Sequence, residues 1–277
     1  MDLRKKSIVK IFCVILLLWL LIPLGGEAGG VTVIGGLSHE RVVEIAETSQ
    51  GAILIKNSTD EPQEVKIYQT DYLFFSDGTN IYGEPGKDAR SNADWISFSP
   101  AHLIIPSQET GAVNYTINVP DNKSLIGTYW SIIMVEGIGK DSPEAANTAL
   151  EEDKLKIGIR QVMRYGIQII THIGDSGIRD LKILDQKFIK DEENYLFQLD
   201  IENVGERWLR PEVWAELYNQ KGSFIGKFSG GVLRIFPGTS VRYRIGLNDI
   251  PSGKYKALLV IDNGDEYIWG LQYNLEF

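Results

Sequence analysis

Three histidines, two carboxylate clusters and a scatter of arginines are the residues of this chain that could do chemistry. His39, His102 and His172 lie far apart in unlike local contexts, without the close spacing of a metal-ligating loop or helix face. No HExxH, GxSxG or glycine-rich phosphate loop occurs. SDGTN (76–80) and DNGDE (262–266) have the composition of calcium loops. Neither keeps the EF-hand spacing or its distal bidentate Glu, and both fall between alternating apolar runs, where hairpin turns are expected. Cys13 is the only cysteine, which removes thiol catalysis and thiolate metal sites from everything beyond it. The reading is a non-enzyme with no cofactor and no metal. Aromatic residues offer a different chemistry. DYLFFSDGTNIYGEP groups Tyr72, Phe74, Phe75 and Tyr82 around one turn. Adjacent Phe74 and Phe75 point to opposite faces of a strand, so one of them is expected at the surface as a contact residue.

The elements that must position such residues are set first by the chain's ends. Arg4, Lys5, Lys6 and Lys10 precede the apolar run Ile11–Leu24, with Gly26 and Ala28 at the −3 and −1 positions of a cleavage site. This pattern reads as a secretory signal peptide over residues 1–28, and its fourteen apolar residues fall short of the roughly 20 that span a bilayer. An exported protein, periplasmic or at the outer cell surface, with no integral membrane span after cleavage, is therefore expected. Without the signal's four basic and two acidic residues, 24 Lys and Arg face 35 Asp and Glu. Such a surface repels phosphate backbones, so nucleic acid is excluded as a partner.

A period of two runs through most of the remainder. In AVNYTINV (112–119), Val113, Tyr115, Ile117 and Val119 share one face; Tyr195, Phe197, Leu199 and Ile201 do so in NYLFQLDIEN. YIWGLQYNLEF (267–277) places Tyr267, Trp269, Leu271, Tyr273, Leu275 and Phe277 on one side. Gly, Pro and Asx turns separate these runs. Many short strands at regular spacing predict an all-β protein of two tandem immunoglobulin-like sandwiches, residues 29–173 and 174–277, joined at GDSG (174–177). DSPEAANTALEEDK (141–154) is the one departure, a solvated excursion of one or two helical turns or a loop.

The longest alternation, LKIGIRQVMRYGIQIITHI (155–173), predicts a final strand of the first sandwich, with Gly158 and Gly166 as places to bend. Ile157, Ile159 and Met163 fall on one face, Arg160 and Arg164 on the other. Part of this strand is expected to be an edge that can pair with a strand of another protein.

Over residues 38–173 the sequence resembles the first domain of PapD-like pilus-assembly chaperones. The resemblance is carried by Arg41 in an early strand, Asn57 with Pro62, Pro100 with Pro106, and Tyr129–Trp130 before the long final strand. It implies strand addition to an unfolded subunit, with two basic residues holding that subunit's terminal carboxylate. Arg41 matches the first basic position; the place of the second holds Gln168, with Arg160 and Arg164 upstream. The first domain is also similar to that of WxL-interacting cell-surface proteins, which implies wall binding. The expected function is binding of another exported or surface protein in a chaperone-like or surface-assembly role; a cell-wall or glycan-binding adhesive module is the alternative.

Overall fold

The computed structural model describes residues 30–138, 162–191, 194–264 and 266–277. The signal segment, the 141–154 excursion, and Ile157, Ile159 and Arg160 lie outside them. The described residues form seventeen strands, numbered in chain order, and one 3₁₀ turn at Ala93–Trp95. They build two tandem immunoglobulin-like sandwiches.

The first sandwich packs two sheets. One has the order β1 (Val31–Ile34), β3 (Thr48–Asn57), β8 (Thr110–Asn118), β6 (Ile96–Ser99). The other has the order β2 (Ser38–Val43), β10 (Arg164–Ile173), β9 (Gly127–Ile138), β4 (Gln63–Phe74), β5 (Asn80–Gly83), with β7 (His102–Ile105) also on β4. Between β1 and β2 the chain crosses from sheet to sheet. β1 is antiparallel to β3, whereas β2 runs parallel to β10. Gly35, at φ +95°, supplies the left-handed turn this crossing needs. Alternation then fills the interior: Val113, Tyr115 and Ile117 of β8 face Ile133 and Val135 of β9 and Ile167 and Ile169 of β10 in one core.

The second sandwich sets three strands, β11 (Leu181–Asp191), β12 (Asn194–Asn203) and β15 (Ser240–Leu247), against four: β14 (Phe224–Val232), β13 (Glu212–Asn219), β16 (Lys254–Asp262) and β17 (Ile268–Glu276). Leu199, Ile201, Val213, Leu217, Tyr243, Ile245, Leu259 and Ile261 form its core. The two carboxylate turns behave as hairpin caps: Asp77 accepts from Thr79 N–H and Asp262 from Gly264 N–H, both at 2.8 Å.

The long final strand is shorter than expected on the described side. Pairing with β9 begins at Arg164 opposite Glu136, and Val162 and Met163 precede the strand. Its outer edge is also largely covered, because β2 pairs with Gln168–Ile173.

Candidate functional site

Even-numbered residues of β4, β9 and β10 point away from the first core, so the outer face of this sheet is a second, independent surface. β9 is apolar on this face too: Trp130, Ile132 and Met134 are all buried. A strand apolar on both sides needs a cover on both.

At the end near Gly127 the second sandwich is that cover. Phe236, fully buried, stacks on Trp130 at 4.6 Å and 11° between planes. Phe74 meets the Phe236 ring edge-on at 6.0 Å, and Ile170, Leu73 and Trp208 complete the cluster. Trp130 Nε1–H donates to Tyr72 O at 2.8 Å, which satisfies the indole inside an apolar cluster. The backbones almost touch: Thr128 N–H donates to Glu206 O at 2.9 Å, and a Cβ at Gly127 would lie 2.0 Å from that oxygen. Only glycine permits this approach.

A polar latch borders the cluster. His172 Nε2 lies 3.0 Å from Glu40 Oε1, and its Nδ1 is 2.9 Å from Thr128 Oγ1, which accepts from Trp208 N–H at 3.0 Å. The imidazole stacks on the Trp208 ring. Arg234 reaches across from the second sandwich to Ser38 Oγ at 2.6 Å and to Glu40 at 3.6 Å, with its guanidinium over Trp208. Burial lowers the pKa of His172; Arg207 and Arg234 add to this, and Glu40 opposes it. The ring is therefore neutral near pH 7, donating from Nε2 to the carboxylate and accepting from Thr128 at Nδ1.

Away from the junction the same face opens. Ile132 floors a groove of about 420 Å³ walled by Tyr72 and Tyr82 on one side and Leu37 and Ser38 on the other, with Gly166 and Gln168 along it. Tyr82 is 61 % exposed and lies 5.0 Å from the Tyr72 ring. Beside the groove, β2 stops covering β10. Gln168 N–H donates to Leu37 O. Backbone direction repeats every two residues, so Gly166 and Arg164 turn N–H and C=O outward, where no strand among the described residues meets them.

The expected site residues are dispersed around this arrangement. Phe74 belongs to the junction cluster and Phe75 is half-buried beside Ser240 and Arg242, so neither is fully exposed; the exposed ring of this group is Tyr82. Arg41 lies opposite Thr171 and Arg164 seven residues away along β10, roughly 23 Å at 3.3 Å per residue, so they do not converge on one carboxylate. Arg41 shares a face with His39 and bonds Glu40 O, while Arg164 pairs with Glu136 at 3.0 Å. Met163 C=O accepts from Gly137 N–H at the end of the β9–β10 ladder. The position that faces the junction is Glu40, an anion. The three histidines have separate partners: Tyr115 for His39, Glu64 for His102 and Glu40 for His172. Ile132, Leu37 and Phe236 carried no functional signal in the sequence, and Gly166 was marked only as a place to bend.

No protein-family model and no curated protein matches the sequence. Solved structures similar to it include fimbrial chaperones and their complexes. The class 5 fimbriae chaperone CfaA shares 13 % identity over 88 % of this chain and 98 % of its own, at a TM-score of 0.46. A chain of the CFA/I chaperone–tip adhesin complex shares 14 % over 88 % and 97 %, also at 0.46. A chain of the CsuC–CsuE chaperone–tip subunit complex of Acinetobacter baumannii shares 12 % over 87 % and 97 %, at 0.41.

Proposed function

We propose that the protein is an exported, non-enzymatic binding module of two domains, 29–173 and 174–277, that takes an extended apolar segment of another exported or surface protein by strand addition. The observation that carries this reading is the coincidence, on one sheet, of the outward backbone groups of Arg164 and Gly166, which no described strand pairs, and the adjoining Ile132 groove. Backbone hydrogen bonds supply affinity in such binding, and a pocket for alternate side chains supplies selectivity. The role is chaperone-like or one of surface assembly. Terminal-carboxylate capture by Arg41 and Arg164 is not part of it, since Glu40 occupies the junction and its cation, Arg234, is already engaged. A glycan platform is the weaker reading: the Tyr72 and Tyr82 rings are tilted by 35°, and only Tyr82 is exposed. No helix among the described residues is long and apolar enough to cross a membrane.

The test is a photo-crosslinking residue at Tyr82 of the full chain in its own cell, with and without Gly166→Pro. Proline removes the outward N–H and leaves the β9 ladder intact. A covalent adduct with another exported or surface protein that disappears in the folded proline variant is expected. An adduct that persists there, or none at all, would reject strand addition at this edge.

A further inference from the structure

Apart from the short stretch of β10 that β2 leaves uncovered, the sheet edges among the described residues are guarded at every place but one. β1, β5, β6 and β7 are four residues long. β2 carries Glu40 and Arg41, and β15 carries Arg242 and Arg244. β11 is bulged between Ile183 and Asp185 and bears Lys182, Lys187 and Lys190; β14 shifts register twice against β13. Short length, charge and bulges are the usual means of blocking edge pairing. β17 is neither short nor bulged, and its charge is confined to its last residue. Its nine residues, IWGLQYNLE, pair with β16 in unbroken register, contain no proline or lysine, and hold one charge, the terminal Glu276. On the side away from β16 no described strand pairs with it.

The free groups on that edge can be assigned. Gly253 and Phe277 exchange both main-chain bonds, so odd residues of β17 turn toward β16, and Ile268, Gly270, Gln272, Asn274 and Glu276 turn outward. We infer that this edge joins a second copy of the chain, β17 antiparallel to β17 about a two-fold axis at Gln272, making one continuous sheet from the two four-stranded sheets. This goes beyond the groove of the first sandwich and does not depend on it.

Self-complementarity selects the occupant. Only the register centred on Gln272 keeps all nine residues opposite a residue. It sets Ile268 against Glu276 of the second copy, Gly270 against Asn274, and Gln272 against itself, each pair exchanging two main-chain bonds. On the core side, half-buried Trp269 and Tyr273 then stand against Leu275 and Leu271 of the other copy. No like charges face each other, and an aliphatic side chain meets each aromatic one.

The experiment uses the full chain carrying Cys13→Ser, sized by sedimentation over a dilution series. A species of twice the chain mass is expected. Gln272→Lys and Gln272→Glu, at an exposed position that leaves the unfolding midpoint unchanged, each place like charges in contact and lose the dimer; mixing the two variants restores it. Gln272→Cys closes an interchain disulfide on oxidation, since residues of a hydrogen-bonded pair lie about 5.5 Å apart, whereas Gly270→Cys, facing Asn274, does not. A monomer at every concentration, or a dimer indifferent to both charges, would overturn the inference.

Discussion

The outer face of the β2–β10–β9–β4–β5 sheet carries one continuous set of side chains and treats its two ends differently. Near Gly127, Trp130, Ile170 and Phe74 are sealed under Phe236, and His172 is bonded on both nitrogens. Beyond them, Ile132 and Tyr72 border a groove that Tyr82 and Leu37 wall but do not close. The strands are the same, and so is the alternation. What differs is whether the second sandwich reaches that far. A sealed end fixes the angle between sandwiches, while the open end lies beside backbone that no described strand pairs.

Breaking the sealed end should have the largest effect. Phe236→Ala removes a fully buried ring from between Trp130 and Phe74 and should cost about 3–5 kcal/mol, read as a fall in the urea midpoint. If the midpoint barely moves, the junction is not a packed core and the contrast between the ends is lost.

A smaller effect separates the latch from the apolar seal. The folded pKa of His172 lies below its ordinary 6.5, chiefly through burial, so the unfolded chain takes up a proton before the folded one does. The stability this contributes is complete above about pH 6.5 and is lost as the pH falls through and below that value. His39, lowered likewise by burial and by Arg41, acts in the same direction. Urea midpoints from pH 7.5 down to 5 should decline, and His172→Gln should flatten the decline without abolishing it. An equal slope in that variant would show that the latch does not titrate.

The smallest change in stability belongs to the open end, where the comparison is sharpened by function. Tyr82→Ser should cost less than about 1 kcal/mol, because the ring is mostly exposed, yet it should abolish capture of the partner. Full capture by this variant would mean that the groove wall plays no part.

Much of the strand pattern could be read in advance. NYLFQLDIEN coincides with β12, and the alternations around residues 112–119 and 267–277 became β8 and β17. The turns between them followed from Gly, Pro and Asx chemistry. The similarity of the two sandwiches could not be read this way. Asn57 and Asn203 each end a strand and donate their side-chain amides to two or more loop carbonyls, but they share only that role, with little sequence around it. The site was read least well. Arg41 and Arg164 carry charge on neighbouring strands, and only the parallel register of β2 on β10 shows how far apart they stand.

What the sequence determined by itself was local: which residues alternate and where the chain turns. A two-residue period assigns side chains to faces but does not say what lies against a face. That Trp130 is covered while its neighbour Ile132 borders a groove was decided by Phe236, which is distant in sequence and brought into place by the docking of one sandwich on the other. Burial depends on that long-range packing, and only the tertiary structure contains it.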